Sequence, residues 1–188
     1  MKSFETNIDG VVVVHPEVYE DERGLFTETY SEKKYKELGI NENFVQDNFS
    51  LSIKGTLRGL HYQLKYPQAK LVRVLKGEVF DVAVDLRKGS PTYGDYFSIK
   101  LNETNLYQLY MPIGIAHGFY ALSDYAYFEY KCSDYYHPND QHGVLWNDQT
   151  IAIDWPIEGN FILSEADSNF KTLNDKDPSE LPNFTINR

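Results

Sequence analysis

The sequence predicts a single all-β domain, a jelly roll carrying one or two short helices, on three observations. Ten short apolar runs recur along the chain, each bounded by Gly, Pro, Asn, Asp or Ser. No run of strands alternates with helical periodicity, which excludes a doubly wound α/β sheet. Apolar residues make up 41% of the chain and Tyr alone contributes 15 residues, a mix suited to packed sheets whose inner faces keep hydroxyl groups.

The elements follow in chain order. Gly10–His15 is built on four consecutive valines, and Leu25–Thr29 follows the turn residue Gly24. Glu32–Leu38 is the predicted helix, with Ser31 as N-cap and Gly39 just past its end. Phe44–Ser52 is the next strand, and Thr56–Leu64 opens after Lys54-Gly55. Lys70–Lys76 and Glu78–Leu86 are divided by Gly77, and Lys88-Gly89-Ser90-Pro91 precedes Tyr96–Leu101. Pro112-Ile113-Gly114 separates Leu106–Met111 from His117–Ala121, and Ala126–Cys132 completes the set. From about Ser164 the chain is polar and turn-rich, a tail expected to wrap the surface with little regular structure. At 188 residues the whole chain, 1–188, fits one domain able to bury a core without staples.

Charge narrows the function. The net charge of −10 argues against nucleic acid or an anionic membrane as partner. Residues 1–94 hold 13 Lys/Arg against 14 Asp/Glu, whereas residues 95–188 hold 5 against 14. Within the first half, Asn48–Gly77 carries Lys54, Arg58, Lys65, Lys70, Arg73 and Lys76 and no acidic residue. A purely cationic window in an acidic chain points to a small anionic ligand. The longest N-terminal apolar run, Val11–Val14, is far too short for a leader or a span, and the single Cys132 has no internal disulfide partner. Both features point to the cytoplasm. Cys132 reads as a small residue within a strand.

Three stretches are too polar for the strands they occupy. In Gly55–Gln63, strict alternation puts Leu57, Gly59, His61 and Gln63 on one face, and its glycines mark a close approach of ligand to backbone. Lys70–Val74 carries a cation on each face of an apolar strand, and Gly114–Phe119 turns into a strand through His117. Cupin-type jelly rolls bind metal through His-x-His, a later Glu and a distal His. Here Gln63 stands where the second His belongs and Lys70 where the carboxylate belongs, and an ammonium opposes a divalent ion.

The segments Asp21–Phe26, Gln46-Asp47-Asn48, Arg58–Gln63, Lys70–Arg73, Val79–Arg87, Pro112–Phe119, Tyr130-Lys131-Cys132, Trp146-Asn147-Asp148 and Leu163-Ser164 share one order and spacing. In them the chain resembles the dTDP-4-dehydrorhamnose 3,5-epimerases, cupin-fold enzymes, over roughly Gly10 to Leu173. The resemblance implies epimerisation at C3 and C5 of dTDP-4-dehydro-6-deoxy-D-glucose through an enolate, without cofactor or metal. It implies His61 as base with Asp167 as its partner, Lys70 at the enolate oxygen and Tyr130 as acid. Arg23, Glu28, Gln46, Asn48, Arg58 and His117 match positions that hold nucleotide, diphosphate or sugar. Tyr136 matches the aromatic stacked on thymine, and Tyr19 is a second candidate for such a contact. A homodimer that shares strands is implied as well.

The chain departs from the family pattern at Ala166, where many members have Lys, at Gln141, where some have Glu, and at Gln149, where Pro is common. None of these touches the proton chemistry, but a lost cation bears on the nucleotide contacts. Inversion at C3 alone or C5 alone remains an alternative, as does a non-catalytic sugar-nucleotide binding module on the same scaffold.

Overall fold

The computed structural model describes residues 1–185; the last three residues of the predicted 1–188 domain lie outside the described residues. The strands are β1 (Lys2–Glu5), β2 (Val12–His15), β3 (Val18–Asp21), β4 (Gly24–Thr27), β5 (Gln46–Ile53), β6 (Leu57–Gln63), β7 (Lys70–Lys76) and β8 (Glu78–Asp85). They continue with β9 (Tyr96–Asn102), β10 (Gln108–Met111), β11 (Ile115–Ala121), β12 (Tyr125–Cys132) and β13 (Gln141–Gly143). Two antiparallel sheets face each other, in the orders β1-β2-β10-β7-β12-β5 and β13-β6-β11-β8-β9, while β3 and β4 form a separate hairpin. This is the predicted jelly roll of cupin type. No described helix is long and apolar enough to cross a membrane.

The central strands β7, β8, β10 and β11 bury residues on both faces, which explains why they do not read as simply amphipathic. Between the sheets, Val72 and Val74 of β7 meet Val79 and Ala83 of β8, Phe119 of β11 and Phe128 of β12. Behind the five-stranded sheet, Leu60, Val82 and Val84 pack under Val144, Ile151, Leu173 and Leu181. Behind the six-stranded sheet, Val14, Leu71 and Tyr110 pack under Tyr35 of the helix α1 (Glu32–Glu37). Tyr35 is fully buried, and its hydroxyl donates to Gln108 at 2.6 Å. Burying a ring of that size contributes on the order of 2–3 kcal/mol, enough to dock so short a helix.

Gly77 carries the chain from one sheet to the other. Its φ is +82°, and a Cβ there would lie 2.1 Å from the carbonyl oxygen of Tyr125, so no other residue fits. Gly39 ends α1 at φ +85°, as its sequence position predicts. Ser31 sits at the N-cap but makes no side-chain cap; only its carbonyl accepts, from Tyr35 N–H at 2.9 Å.

The tail has little regular structure, as expected, but it does more than wrap the surface. A one-turn helix, α2 (Glu165–Ser168), is capped by Ser164, whose side chain accepts from Asp167 N–H, and a 3₁₀ turn spans Pro178–Glu180. Leu173 and Leu181 are buried, so the tail forms one layer of the core. Three strands went unpredicted for a common reason. β1 and the first strand of the hairpin are exposed and largely polar, and β13 is three residues long, so none carries a periodic apolar signal.

Candidate active site

A cavity of about 400 Å³ opens at one end of the sandwich, within the range of small-ligand sites. Its wall includes His61, Arg58 and Gln63 of β6, Lys70 of β7, His117 of β11, Tyr130 of β12, Gln46 and Asn48 of β5, Gln141 of β13, and Tyr136 beyond β12. The polar members of three strands from each sheet thus converge on one space.

Strict alternation along β6 fails, and the failure builds the site. Arg58 pairs with Phe119 and His61 with His117, so β6 spends one more residue than β11 across this interval, a β-bulge. The extra residue reverses the phase, and Arg58 and His61 therefore line the same cavity although they stand three positions apart. The glycines serve this packing and do not admit ligand. A Cβ on Gly59 would lie 2.6 Å from Gly118 Cα, so the two strands approach backbone to backbone.

His61 Nε2 lies 2.6 Å from Asp167 Oδ1, and Gly59 N–H donates to Asp167 Oδ2 at 3.3 Å. The pair joins β6 to α2 across 106 residues of chain. With Nε2–H given to the carboxylate, Nδ1 is the nitrogen that can take a proton. Burial opposes the charge of Asp167, yet the hydrogen bonds from His61 and Gly59 hold its carboxyl below the usual range. Phe170 packs edge-on against the imidazole with ring centres 5.8 Å apart, and it lies so close to Gly143 that a Cβ there would approach it to 2.3 Å.

Burial pushes the Lys70 ammonium down from the ordinary lysine range, with Cys132 and Asp81 acting in the opposite direction. Burial likewise pushes the Tyr130 phenol up to about 12, so it carries its proton throughout the neutral range. Arg58 donates from Nε to Ser52 Oγ at 3.1 Å, which steadies the guanidinium at the cavity rim. Arg73, the second cation of β7, points the other way and pairs with Glu129 at 2.9 Å.

Tyr136 is held by its surroundings. Its N–H donates to Gln46 Oε1 at 2.9 Å and its hydroxyl to Gln141 Oε1 at 2.6 Å. Gln63, considered above as a metal position, instead ties down the loop carrying Tyr136. Its amide donates to the carbonyls of Tyr66 and Tyr135 and accepts from His137 N–H. Among the described residues no three His, Cys, Asp or Glu side chains gather as metal ligands would.

Three predicted binding residues lie outside the cavity. Arg23 is exposed at the hairpin turn and pairs with Asp21 at 2.6 Å. Glu28 pairs with Lys34 at 2.8 Å, and both line a smaller cleft with Tyr19. The sequence reading also passed over Asp81, whose Oδ2 lies 2.9 Å from His117 Nε2. The signal for it is a carboxylate inside the apolar strand Val79–Val84. Phe170 gave no comparable signal.

The comparisons with known proteins agree with this geometry. The family model described as dTDP-4-dehydrorhamnose 3,5-epimerase matches residues 5–175. A protein of that name from Methanothermobacter thermautotrophicus is 51% identical over 172 residues, covering 90% of this chain and 93% of the relative. One from Pseudomonas aeruginosa is 46% identical over 178 residues, covering 94% and 98%. The crystal structure of the Legionella pneumophila dTDP-6-deoxy-D-glucose-3,5-epimerase, in complex with dTDP-4-keto-L-rhamnose, is 50% identical. It superposes with a TM-score of 0.96 over 98% of both chains. With a bulged His–Asp site on a cupin-type jelly roll and this extent of likeness, the chain belongs to the dTDP-4-dehydrorhamnose 3,5-epimerase family.

Proposed function

We propose that the protein epimerises dTDP-4-dehydro-6-deoxy-D-glucose at C3 and C5 to dTDP-4-dehydro-L-rhamnose. The observation that carries this reading is the presence of a His–Asp pair, a half-buried lysine and a protonated tyrosine at one cavity. The 4-keto group acidifies the hydrogens on both neighbouring carbons. His61 Nδ1 takes one of them as general base, and the electron pair moves to the keto oxygen as an enolate. Lys70, on the inner face of β7, is the cation that meets this developing charge. Tyr130 returns a proton to the opposite face, which inverts the carbon, and the second carbon follows by the same route. No redox or metal chemistry is needed for these steps.

The nucleotide has its own support. Arg58 offers a forked guanidinium to the diphosphate, and Tyr136, held by Gln46 and Gln141, offers a ring to the thymine. His117, Gln46 and Asn48 complete the binding set.

The reading includes a cytoplasmic homodimer that uses no cofactor. Phe49, Leu51 and Ile53 of β5 and Tyr125 of β12 are exposed on one sheet face, an apolar patch suited to a second copy. Arg23, Glu28 and Tyr19 then serve a site through the partner's hairpin, which accounts for their distance from the cavity of their own chain. Sedimentation at micromolar concentration tests the dimer.

Incubation of the substrate in deuterated buffer tests the reaction. Exchange at both C3 and C5 with formation of the L-sugar is expected, exchange at one carbon selects a mono-epimerase, and exchange at neither refutes the reading.

A further inference from the structure

The proton chemistry above leaves one buried carboxyl of the site unused. Asp81 is 0% exposed and stands on β8 between Val79 and Ala83, both members of the apolar layer between the sheets. Its Oδ2 lies 2.9 Å from His117 Nε2, while its Oδ1 is buried without any hydrogen-bond partner. A carboxyl oxygen left unpaired in an apolar interior is costly, and such a group is retained where it serves a purpose.

The neighbours indicate the purpose. His117 is 8% exposed, and its ring is clamped by a stack on Phe128 with centres 5.8 Å apart. Once Nε2–H is given to Asp81, Nδ1 is the nitrogen turned to the cavity, directly across the sheet from His61. From the opposing sheet, Lys70 lies in the inner row of β7 with Val72 and Val74 and lines the same cavity. Its strand partners at that position are Cys132 on β12 and Met111 on β10. Tyr130 and the two histidines are the other titratable groups near it on the wall, with Arg58 at the rim.

On the epimerase reading, we infer that Asp81 is a positioning residue for the reaction: it fixes His117 with Nδ1 toward the sugar, and its second oxygen is the buried counter-charge that keeps Lys70 an ammonium beneath the keto oxygen. The electrostatic pull of Asp81 on Lys70, opposing burial, agrees with this. Asp81 itself touches no substrate and acts through its two neighbours.

Asp81→Asn preserves shape and can still accept from His117, so a purely structural Asp81 predicts an enzyme with an unchanged rate and pH profile. A positioning Asp81 predicts kcat lowered about 10–100-fold with KM within about threefold. It also predicts an alkaline limb displaced to lower pH, because Lys70 loses its counter-charge. A kcat within about threefold of the parent with an unmoved limb overturns the inference. If the variant does not fold, imidazole ¹⁵N shifts of the parent protein decide. The proton of neutral His117 on Nε2 supports the inference and a proton on Nδ1 overturns it. A parent protein without C3 or C5 exchange refutes the epimerase reading itself, and the inference falls with it.

Discussion

Replacing Asp167 by Asn isolates the contribution of the carboxylate to His61. Asn has nearly the same volume and can still occupy the position 2.6 Å from Nε2, so packing around α2 is preserved. What disappears is the negative charge that stabilises the imidazolium formed when His61 takes a proton. With charge centres about 4 Å apart and an effective dielectric constant of about 20, that attraction is about 4 kcal/mol. At about 1.4 kcal/mol per factor of ten, kcat should fall about a thousandfold. The amide can also turn its NH₂ toward Nε2 and trap the wrong tautomer, which acts in the same direction. The assay is deuterium incorporation at C3 and C5 together with steady-state turnover, with dTDP titration as control, since Arg58 and Tyr136 are untouched. A kcat within about threefold of the parent, with dTDP binding intact, refutes the role of the pair. Stability supplies a second check. The folded-state carboxyl of Asp167 lies below its unfolded value, so its stabilisation is present above that value and lost as pH falls through the folded one. The variant should lose this part of the acid dependence in a melting series from pH 6 to pH 3.

The same reasoning covers three further substitutions. Lys70→Met should abolish turnover while raising the Tm at pH 7, by about 2–4 °C for each kcal/mol of relieved desolvation. The sign follows from the lowered pKa: between the folded value and the ordinary 10.5 the unfolded chain binds more protons, so the parent gains stability as pH rises there and the variant does not. Tyr130→Phe should lower inversion about 10²–10⁴-fold while His61 continues to wash deuterium into the retained face, and equal loss of both would remove Tyr130 as the acid. Because burial holds this phenol at about 12, it should add no alkaline limb below roughly pH 11. Gly59→Ala, at φ +119° and with its Cβ 2.6 Å from Gly118 Cα, should cost about 3 kcal/mol or more, read as a shift of the urea midpoint.

Much of this protein was legible in one dimension because the governing physics is local. Alternation in β5, the glycines after Lys76 and Leu38, and the Pro112–Gly114 turn each act over a few residues, and the predicted strands and helix followed from them. His61, Lys70 and Arg58 stood out as polar groups in apolar strands, and the family motifs joined them to Tyr130 and Asp167. The tertiary structure alone decided how they meet. The bulge at Gly59 puts Arg58 and His61 on one wall, which no period-two reading allows, because the extra residue is defined only against the partner strand. The tail's role as a core layer, Gln63 as the anchor of the Tyr136 loop and Asp81 beneath His117 depend on contacts between residues distant in sequence. Composition and spacing therefore determined which side chains could do chemistry, whereas register and sheet packing, which only chain closure in three dimensions sets, decided which of them share a cavity.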